Sequence, residues 1–551
     1  MDVVFGNEEE LNAARCCGGD RRGRVRGPDH DGGREVLRVG SYHGIRGQFT
    51  SIQAAVNAAR PGDWILIGPG DYKTTSVRTP KGAPDFPAAV LVTTRNLHIR
   101  GMNRGHVIVD GTRPGSGVCS AKASAQNFGL RGRSNMGGYA VAASASGRSG
   151  LNGLMVYKAR NVSIENLTAC NFLGGSRSAG NEIWFNGGAD SGKVGGHGFY
   201  GGYLTTTSTY LKGKSKADEA SAARYGVFSS NWSGGTWDNI YASNFNDSGF
   251  YIGACRQECD QTLNHGWAEY NVLGYSGSNS GGRLVIENSQ FDNNEDGFDT
   301  NSQNGDNPPP QDGACPRNGT SSITHTHSCW VFIHNYVHDN NNPNVPAAGS
   351  AAAGPVGTGM SVSGARDDTI MDNRFVNNKA WGVVLIPYPD SGGPCTGGTP
   401  NGLGQGSCLY DEWGDALIGN TFTNDGGYGH PTNGAWAQVN FEGGHPTNCY
   451  SGNTGSSVNV DDAAMQKAQP SCNGAQAAAG SSNGNFLNEV LCDTQVELVP
   501  GVSACPAGVT YPRVSRIVMH KLPRGLRSMP NPCAGVPSNP WCGRGRGRRK
   551  K

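Results

Sequence analysis

The sequence predicts an all-β protein, a single-stranded right-handed parallel β-helix in which short strands wind into stacked coils. One Asn-containing unit recurs along the chain, and its copies continue into segments with the alternating pattern of strands. The 85 glycines and only 16% charged residues suit closely spaced turns and short strands better than long helices. A chain of 551 residues could hold several domains, but a solenoid grows by adding units.

The recurring unit places an Asn five residues before another Asn or an Asp. A single unit cannot bury its apolar face alone, so successive copies must stack, with Asn on Asn at the turns and Phe, Val or Ile inside. Several copies continue into a glycine and a strand, as in SGFYIG from Ser248 and DGFDTN from Asp296. The marker pairs are Asn166 and Asn171, Asn239 and Asn244, Asn288 and Asn293, Asn335 and Asn340, Asn373 and Asn378, and Asn420 and Asp425.

The first ordered element is predicted in the segment FTSIQAAVNAARPGDWILIGPGDY. Its apolar residues recur at helical spacing from Ser51 to Arg60, and Pro61-Gly62 then ends the helix. A strand follows at Trp64 to Ile67. We expect this helix to cap the open first coil.

This opening segment and NLHIRGMNRGHVIVDG, Asn96 to Gly111, resemble the pectate-lyase-like superfamily of right-handed parallel β-helices. The resemblance covers about residues 37 to 460. It implies the fold and a polysaccharide or glycan surface as partner. It does not imply one reaction, because the superfamily holds lyases, hydrolases, epimerases, esterases and non-catalytic surface proteins.

Composition divides the chain into four segments. The expected organisation is a disordered or misassigned extension at 1–36, the β-helix at 37–449, an irregular disulfide-rich region at 450–542 and a basic disordered tail at 543–551. A net charge of +2 gives no electrostatic case for nucleic acid. No segment approaches the roughly 18 consecutive apolar residues of a membrane span. We expect a monomer and leave a trimer open.

The cysteines indicate an extracellular or cell-surface protein. Local pairs in Gly- and Pro-rich loops are typical of disulfides in exported proteins, whereas zinc sites favour clustered CxxC spacings. The N-terminus lacks the apolar core of a signal peptide, which leaves the export route and the assigned start of the chain open. The expected pairs are Cys255 and Cys259, Cys315 and Cys329, Cys395 and Cys408, Cys449 and Cys472, Cys492 and Cys505, and Cys533 and Cys542.

The stretch FDNNEDGFDTNSQNGD gathers Asp292, Glu295, Asp296 and Asp299 with no Lys or Arg among them. Such carboxylates repel unless water screens them on a solvated turn or a cation binds them. Strands about 4.8 Å apart could present them to Ca²⁺. EDGFD also resembles the DDGxD calcium motif of one family of pectate lyases, although Glu295 replaces its first Asp. No clear counterpart of that family's catalytic Lys follows.

Candidate catalytic bases are His334, His338 and Lys379, chosen because they follow the acidic coil most closely in repeat order. Candidate substrate-binding residues are Tyr251, Trp232, Trp237, His325 and His327, since aromatic faces and polar groups suit a sugar ring. The alternative is that these histidines occupy ordinary polar turns and that the aromatic residues only cover the edges of the solenoid.

Our first functional hypothesis is an exported, Ca²⁺-dependent polysaccharide lyase acting on a uronate-containing glycan. The ion would hold the sugar carboxylate while a base removes the neighbouring proton. The main alternative is a non-catalytic glycan-binding or structural surface protein. A glycoside hydrolase on the same fold is the second alternative, and it would place two carboxylates about 5 to 9.5 Å apart.

Overall fold

The computed structural model describes residues 34–543. Gaps in this range lie at 75, 128–149, 175–178, 189–192, 214–221, 305–308, 392–393, 403–406, 457–465, 468–485 and 496–504. The predicted N-terminal extension and basic tail therefore lie almost wholly outside the described residues. From Glu35 onward the chain forms one compact unit.

A complete coil contributes three strands, one to each of three parallel stacks. Stacks 1 and 2 share one 21-stranded sheet, and stack 3 is a separate 10-stranded sheet. Neighbouring coils pair in parallel along all three, as in Leu284 to Glu287 against Trp330 to Ile333. The predicted parallel β-helix is confirmed.

The strands of the three stacks are short and evenly repeated. Stack 1 contains Val36–Val39, Trp64–Ile67, His98–Gly101, Gly235–Asp238, Gln261–Asn264, Leu284–Glu287, Trp330–Ile333, Asp368–Met371, Ala416–Ile418 and Cys449–Ser451. Stack 2 contains Gly70–Lys73, Val107–Asp110, Tyr241–Ser243, Trp267–Glu269, Gln290–Asp292, Tyr336–His338, Arg374–Val376, Thr421–Thr423 and Thr454–Ser456. Two long strands, Val162–Cys170 and Phe199–Thr207, belong to both of these stacks. Stack 3 contains Ala88–Val92, Asn152–Tyr157, Asn181–Asn186, Tyr225–Ser230, Ser248–Gly253, Leu273–Ser278, Asp296–Asn301, Thr358–Ser363, Trp381–Ile386 and Gly434–Gln438.

The remaining elements lie outside the stacks. The helices are α1 (Ile52–Ala58), α2 (Phe486–Thr494) and the short 3₁₀ turns Ala123–Ala125, Pro316–Asn318 and Gly349–Ala353. The additional strands are the hairpin Ser41–Tyr42 with Ile45–Arg46, the parallel pair Gly196–His197 with Trp232–Ser233, and the antiparallel set Tyr388–Ser391, Thr399–Pro400 and Ser407–Tyr410.

The interior is a column of apolar side chains, one from each coil. Phe250, Tyr275 and Phe298 occupy the same register position in three successive coils, and all three are fully buried. The rings of Tyr275 and Phe298 stack with their centroids 4.1 Å apart. Burying one such side chain contributes roughly 1.5–3 kcal/mol. This agrees with the prediction that Phe, Val or Ile side chains of successive coils stack inside.

Two ladders of buried asparagines fix the register between coils. In the first ladder, Asn335 Nδ2 donates to Asn373 Oδ1 at 3.1 Å and Asn373 Nδ2 donates to Asn420 Oδ1 at 3.0 Å. In the second, Asn294 Nδ2 donates to Asn340 Oδ1 at 3.0 Å, and Asn340 Nδ2 donates to Asn378 Oδ1 at 3.1 Å. The predicted stacking of Asn335, Asn373 and Asn420 is therefore confirmed.

The same pattern was wrong by one residue for Asn288 and Asn293. Both have left-handed backbone conformations, with φ of 50° and 55°, and each precedes a ladder position by one residue. The backbone N–H of Ser289, not that of Asn288, donates to Asn335 Oδ1. Asn tolerates positive φ and also forms amide ladders, so the spacing of Asn residues could not distinguish the two columns.

Helix α1 agrees with the sequence except at its C-terminal end. Ser51 Oγ accepts a hydrogen bond from Ala54 N–H as the N-cap, and Ile52, Ala55 and Val56 pack into the core. The helix ends at Ala58, since Ala59 is already extended. It contacts Val36–Val39 and Ala88–Val92, the first strands of stacks 1 and 3. Its capping role stays a prediction.

Five of the predicted disulfides form. The Cα atoms of Cys255 and Cys259 are 5.1 Å apart and those of Cys315 and Cys329 are 4.8 Å apart. The other three are Cys395–Cys408, Cys492–Cys505 and Cys533–Cys542. The sixth predicted pair involves Cys472, which lies outside the described residues. Local spacing missed the bond between Cys119 and Cys170, because these residues are 51 positions apart.

After α2, residues 505–543 form a segment, here called the strap, that runs back along the outside of the coils. His520 N–H donates to Asn244 Oδ1, Met529 N–H donates to Asn166 Oδ1, and Trp541 Nε1 donates to the carbonyl of Ile45 at 2.9 Å. The strap therefore links the C-terminal region to the first coil. Within the described residues, no helix has the length and hydropathy to cross a bilayer.

Substitutions of the adjacent residues Asn377 and Asn378 can distinguish the two roles of asparagine, which are to form the left-handed turn and to form the buried ladder. Asn378→Ala removes side-chain bonds to Val337 O, Asp425 Oδ1 and the Asn340 amide, all buried, and we expect it to lower the free energy of unfolding by about 3 kcal/mol. Asn377→Gly keeps the left-handed turn at φ 58° and is expected to cost less than about 1 kcal/mol. Denaturant unfolding measures both changes. Equal losses of unfolding free energy in the two variants would contradict the assignment of Asn377 to the turn and Asn378 to the ladder.

Candidate functional site

The outer face of stack 3 lines a cavity of about 500 Å³, here called the groove. Its floor is one outward-facing column, with one residue from each successive coil. In order, this column contains Trp184, Phe228, Tyr251, Ser276, Asp299 and Ser361. Helix α2, through Leu487, Val490, Leu491 and Thr494, and the segment at Ala353–Pro355 form parts of its walls.

One half of the groove floor is aromatic. The rings of Trp184 and Phe228 stack at 4.8 Å, and the ring of Tyr251 packs edge-on against Phe228 at 4.8 Å. Trp184 Nε1 donates to Ser230 Oγ at 3.0 Å, which holds the indole in place. Aromatic surfaces beside hydroxyl groups can contact the faces of sugar rings.

Asp299 is the titratable group that follows the aromatic half. Its carboxylate accepts hydrogen bonds from Ser363 Oγ at 2.9 Å and from Asn301 Nδ2. Burial raises the pKa of Asp299 to about 6, and the charge of Asp247 adds to the rise, while these hydrogen bonds oppose it. A carboxyl with this pKa can donate or accept a proton near neutral pH.

A second carboxylate, Asp247, also lines the groove. Tyr225 Oη donates to Asp247 Oδ2 at 2.8 Å, and Arg224 Nε lies 3.4 Å from the same oxygen. The strand that follows Asp247 is two coils before the strand of Asp299. Two coils correspond to about 10 Å along the axis. The carboxylates of Asp247 and Asp299 therefore lie at different positions along the groove.

Asp296 lies beside Asp299 but is fully buried. Its Oδ1 accepts from Phe298 N–H at 3.1 Å, and its Oδ2 accepts from Ser361 Oγ. Burial raises the pKa of Asp296 well above its ordinary value, and the charge of Asp299 raises it further. Asp296 is therefore part of the buried wall beside Asp299, held by Phe298 and Ser361.

The four carboxylates proposed for calcium do not meet at one point. Asp292 lies on stack 2, where it accepts hydrogen bonds from Trp267 Nε1 at 2.8 Å and Gln290 Nε2 at 2.9 Å. Asp296 and Asp299 follow the next turn and lie on stack 3. In the part of the chain that the structure describes, the one set of three potential ligand atoms within 4.8 Å joins Asp110 to the disulfide-bonded Cys119 and Cys170. The four residues thus do not fit a shared calcium site, and we derive no step through such an ion.

None of the three predicted bases lines the groove. His338 lies on stack 2, with Nδ1 2.8 Å from Asp339 Oδ2 and Nε2 3.9 Å from Asp292 Oδ1. His334 is an exposed turn residue with φ of 56°, and Lys379 is exposed after the second ladder. Their selection assumed that closeness along the chain means closeness in space, but each turn sends the chain to a different face.

Of the predicted substrate-binding residues, Tyr251 lines the groove. The prediction is wrong for Trp232 and Trp237, which are fully buried and pack against Phe185. His325 and His327 lie in the loop closed by the Cys315–Cys329 bond, away from the groove lining.

Sequence reasoning missed Trp184, Phe228 and Asp247. Aligning NEIWFN and YGVFSS with SGFYIG and DGFDTN would have placed both aromatic residues in the column of Asp299.

No family model matches the chain, and no curated protein matches it either. Solved structures similar to it include the A-module of mannuronan C-5 epimerase AlgE6 from Azotobacter vinelandii, at 15% identity and a TM-score of 0.37, covering 74% of this chain and 94% of that one. An alginate lyase from Paenibacillus sp. has 10% identity and a TM-score of 0.34, covering 76% and 95%. Pectate lyase Pel9A has 14% identity and a TM-score of 0.33, covering 78% of each chain. The fold assignment rests on the strand pairing described above.

The raised pKa of Asp299 predicts a stability change that depends on pH. A carboxyl whose pKa is higher in the folded state than in the unfolded state destabilises the fold above the folded pKa, here about 6. This cost disappears as the pH falls below the unfolded value near 4. Asp299→Asn should therefore be more stable than the wild type at pH 7.5, by up to about 2–3 kcal/mol, and the difference should vanish near pH 4.

Denaturant unfolding at both pH values measures this difference, with the exposed Asp260→Asn as the control. If the difference in unfolding free energy between Asp299→Asn and the wild type stayed constant across the pH range, the raised pKa of Asp299 would be contradicted.

Proposed function

We propose that this chain is an exported, carbohydrate-active β-helix protein that binds a polysaccharide along the groove, with Asp299 exchanging a proton with the bound sugar. The observation that supports this most directly is the single column leading from Trp184, Phe228 and Tyr251 to a carboxyl with a pKa of about 6. The disulfides support export, because such bonds form in oxidising compartments.

An extended glycan suits the groove better than a small ligand. The column from Trp184 to Ser361 spans six coils, which at one strand spacing per coil is about 24 Å. The aromatic half can hold sugar rings by their apolar faces, and Asp299 lies beyond it. The groove thus separates binding from proton transfer.

The first reaction we propose is β-elimination in a uronate-containing glycan. Ionised Asp299 removes the proton beside the sugar carboxylate, a C=C bond forms as the glycosidic C–O bond breaks, and Asp299, now protonated, passes this proton to the leaving oxygen. Arg224, whose side chain is about half exposed, is the cationic group in the described lining that can attract an acidic polymer. We keep calcium dependence as a separate proposal, which the chelator assay below tests, because no step of this scheme requires an ion.

Hydrolysis is the second candidate reaction, favoured by the presence of two carboxylates in one groove. Hydrolases place such a pair about 5 to 9.5 Å apart. The separation of about 10 Å along the axis alone between the strands of Asp247 and Asp299 makes this pair less suitable. Elimination therefore stays the first proposal.

Incubation with uronate-containing and neutral polysaccharides tests the proposal. We expect ultraviolet-absorbing unsaturated product from a uronate polymer, with kcat reduced about 10²- to 10⁴-fold in Asp299→Asn and KM little changed. Asp260→Asn, on the exposed surface, is the matched control. Each assay is repeated with chelator to test for a required metal ion.

The other outcomes separate the alternatives. Reducing ends without ultraviolet absorbance would select hydrolysis, and saturable binding without product from any polymer would select a glycan-binding protein. Full activity of Asp299→Asn would overturn the assigned role of Asp299.

A further inference from the structure

Helix α2 presents an aliphatic face to one end of the groove. Four of its side chains line the groove, and they recur at positions i, i+3, i+4 and i+7, which share one face of a helix. They are Leu487, Val490, Leu491 and Thr494. This spacing is typical of a face packed into a core, yet Leu487 and Leu491 are only half-buried. Part of the aliphatic face is therefore open to the groove.

The helix also covers the continuation of the groove floor. After Asp299 and Ser361, the next two positions of the outward-facing column are Val384 and Ala437. Both are buried in one apolar cluster with side chains of α2. The open floor therefore ends at Ser361, one coil or about 4.8 Å beyond Asp299. The aliphatic face thus lies at the Asp299 end of the groove, opposite the aromatic half.

Contacts on its other face hold α2 in place. The ring of Phe486 packs edge-on against Trp381, with the ring centroids 5.7 Å apart. Glu489 Oε2 accepts a hydrogen bond from Thr432 Oγ1 at 2.6 Å. One of the disulfides described above joins the C-terminal turn of α2 to the strap. The aliphatic face is therefore pre-formed, and a ligand does not have to order it.

The two ends of the groove differ in charge. Among the described lining residues, the cationic side chain is Arg224, which directly precedes the strand of Phe228 in the aromatic half. At the other end, a sugar carboxylate would meet the Asp299 carboxyl and aliphatic side chains. Burying a charge against such a surface is unfavourable unless an opposite charge pairs with it. The α2 end therefore favours an uncharged substituent.

Aliphatic side chains and aromatic rings contact different parts of a sugar. Flat rings such as those of Trp184 and Phe228 can pack against the face of a sugar ring. Leucine side chains are not flat, and they gain most by surrounding a small alkyl group that is removed from water. In polysaccharides, uncharged alkyl groups occur as methyl esters of uronates and as O-acetyl groups.

We propose that the α2 end of the groove binds an ester-linked alkyl group, either a methyl ester or an O-acetyl group, on the sugar beside Asp299. Leu487 and Leu491 are then residues that determine specificity. The inference rests on the proposed binding of a polysaccharide along the groove, and it adds which chemical form of the polymer is selected. It does not depend on which reaction Asp299 supports.

Binding of one oligosaccharide in three chemical forms tests this proposal. A uronate oligosaccharide is prepared methyl-esterified, O-acetylated and saponified, and the Kd of each form for the full-length protein is measured by calorimetry. We expect an ester form to bind at least about 10-fold more tightly than the saponified form, because an apolar pocket discriminates one small alkyl group by about this factor.

Leucine variants assign the preference to α2. Leu491→Ser and Leu487→Ser should each reduce the preference for the ester form by about 3- to 10-fold and leave the Kd of the saponified form unchanged. The ester form whose affinity falls identifies the alkyl group. Val518→Ser alters an exposed aliphatic side chain of the strap and serves as the matched control, with the wild-type preference retained.

The remaining outcomes separate this proposal from the proposed function. Saturable binding with equal Kd for all three forms would overturn the ester preference and leave the polysaccharide groove intact. An ester preference that both leucine variants retain would place the alkyl group away from α2 and would also overturn it. If no form binds, the proposed function fails together with this inference.

Discussion

The buried amide ladders set the register on which the rest of this structure depends. Asn340 illustrates the constraint, because its oxygen accepts from Asn294 while its amide donates to both Asn378 and the carbonyl of Phe291. A shift of one residue in any coil would leave these groups buried without partners, which costs about 1–3 kcal/mol for each group. The same register stacks Phe250, Tyr275 and Phe298 inside and aligns Tyr251, Ser276 and Asp299 outside.

The turns that carry the ladders also decide which residues share a face. Asp292 and Asp299 are seven positions apart in the chain, yet the turn at Asn293 places one on stack 2 and the other on stack 3. Trp184 and Asp299 are much further apart in the chain but occupy one column. Sites on a solenoid are therefore assembled along columns of successive coils, and a cluster of charges in the sequence can be divided between two faces.

The assembly of sites along columns explains which features could be predicted from the sequence. The coil repeat, the helix near Ser51 and the local disulfides depend on neighbouring residues, so spacing and periodicity revealed them. Spacing could not distinguish Asn288 from Ser289, because asparagine suits both the turn and the ladder. The Cys119–Cys170 bond and the wall formed by α2 both depend on contacts between distant segments. Those contacts carry no periodic signal.

The proposed use of the groove depends on Asp299 being a titratable group. Carbon-13 NMR of the side-chain carboxyls, with Asp299→Asn to identify its resonance, measures the pKa of Asp299 directly. We predict a pKa of about 6 in the free protein and a change in that titration when a bound oligosaccharide covers the carboxyl. A titration near pH 4 that no oligosaccharide alters would contradict both the electrostatics of the groove and its proposed use.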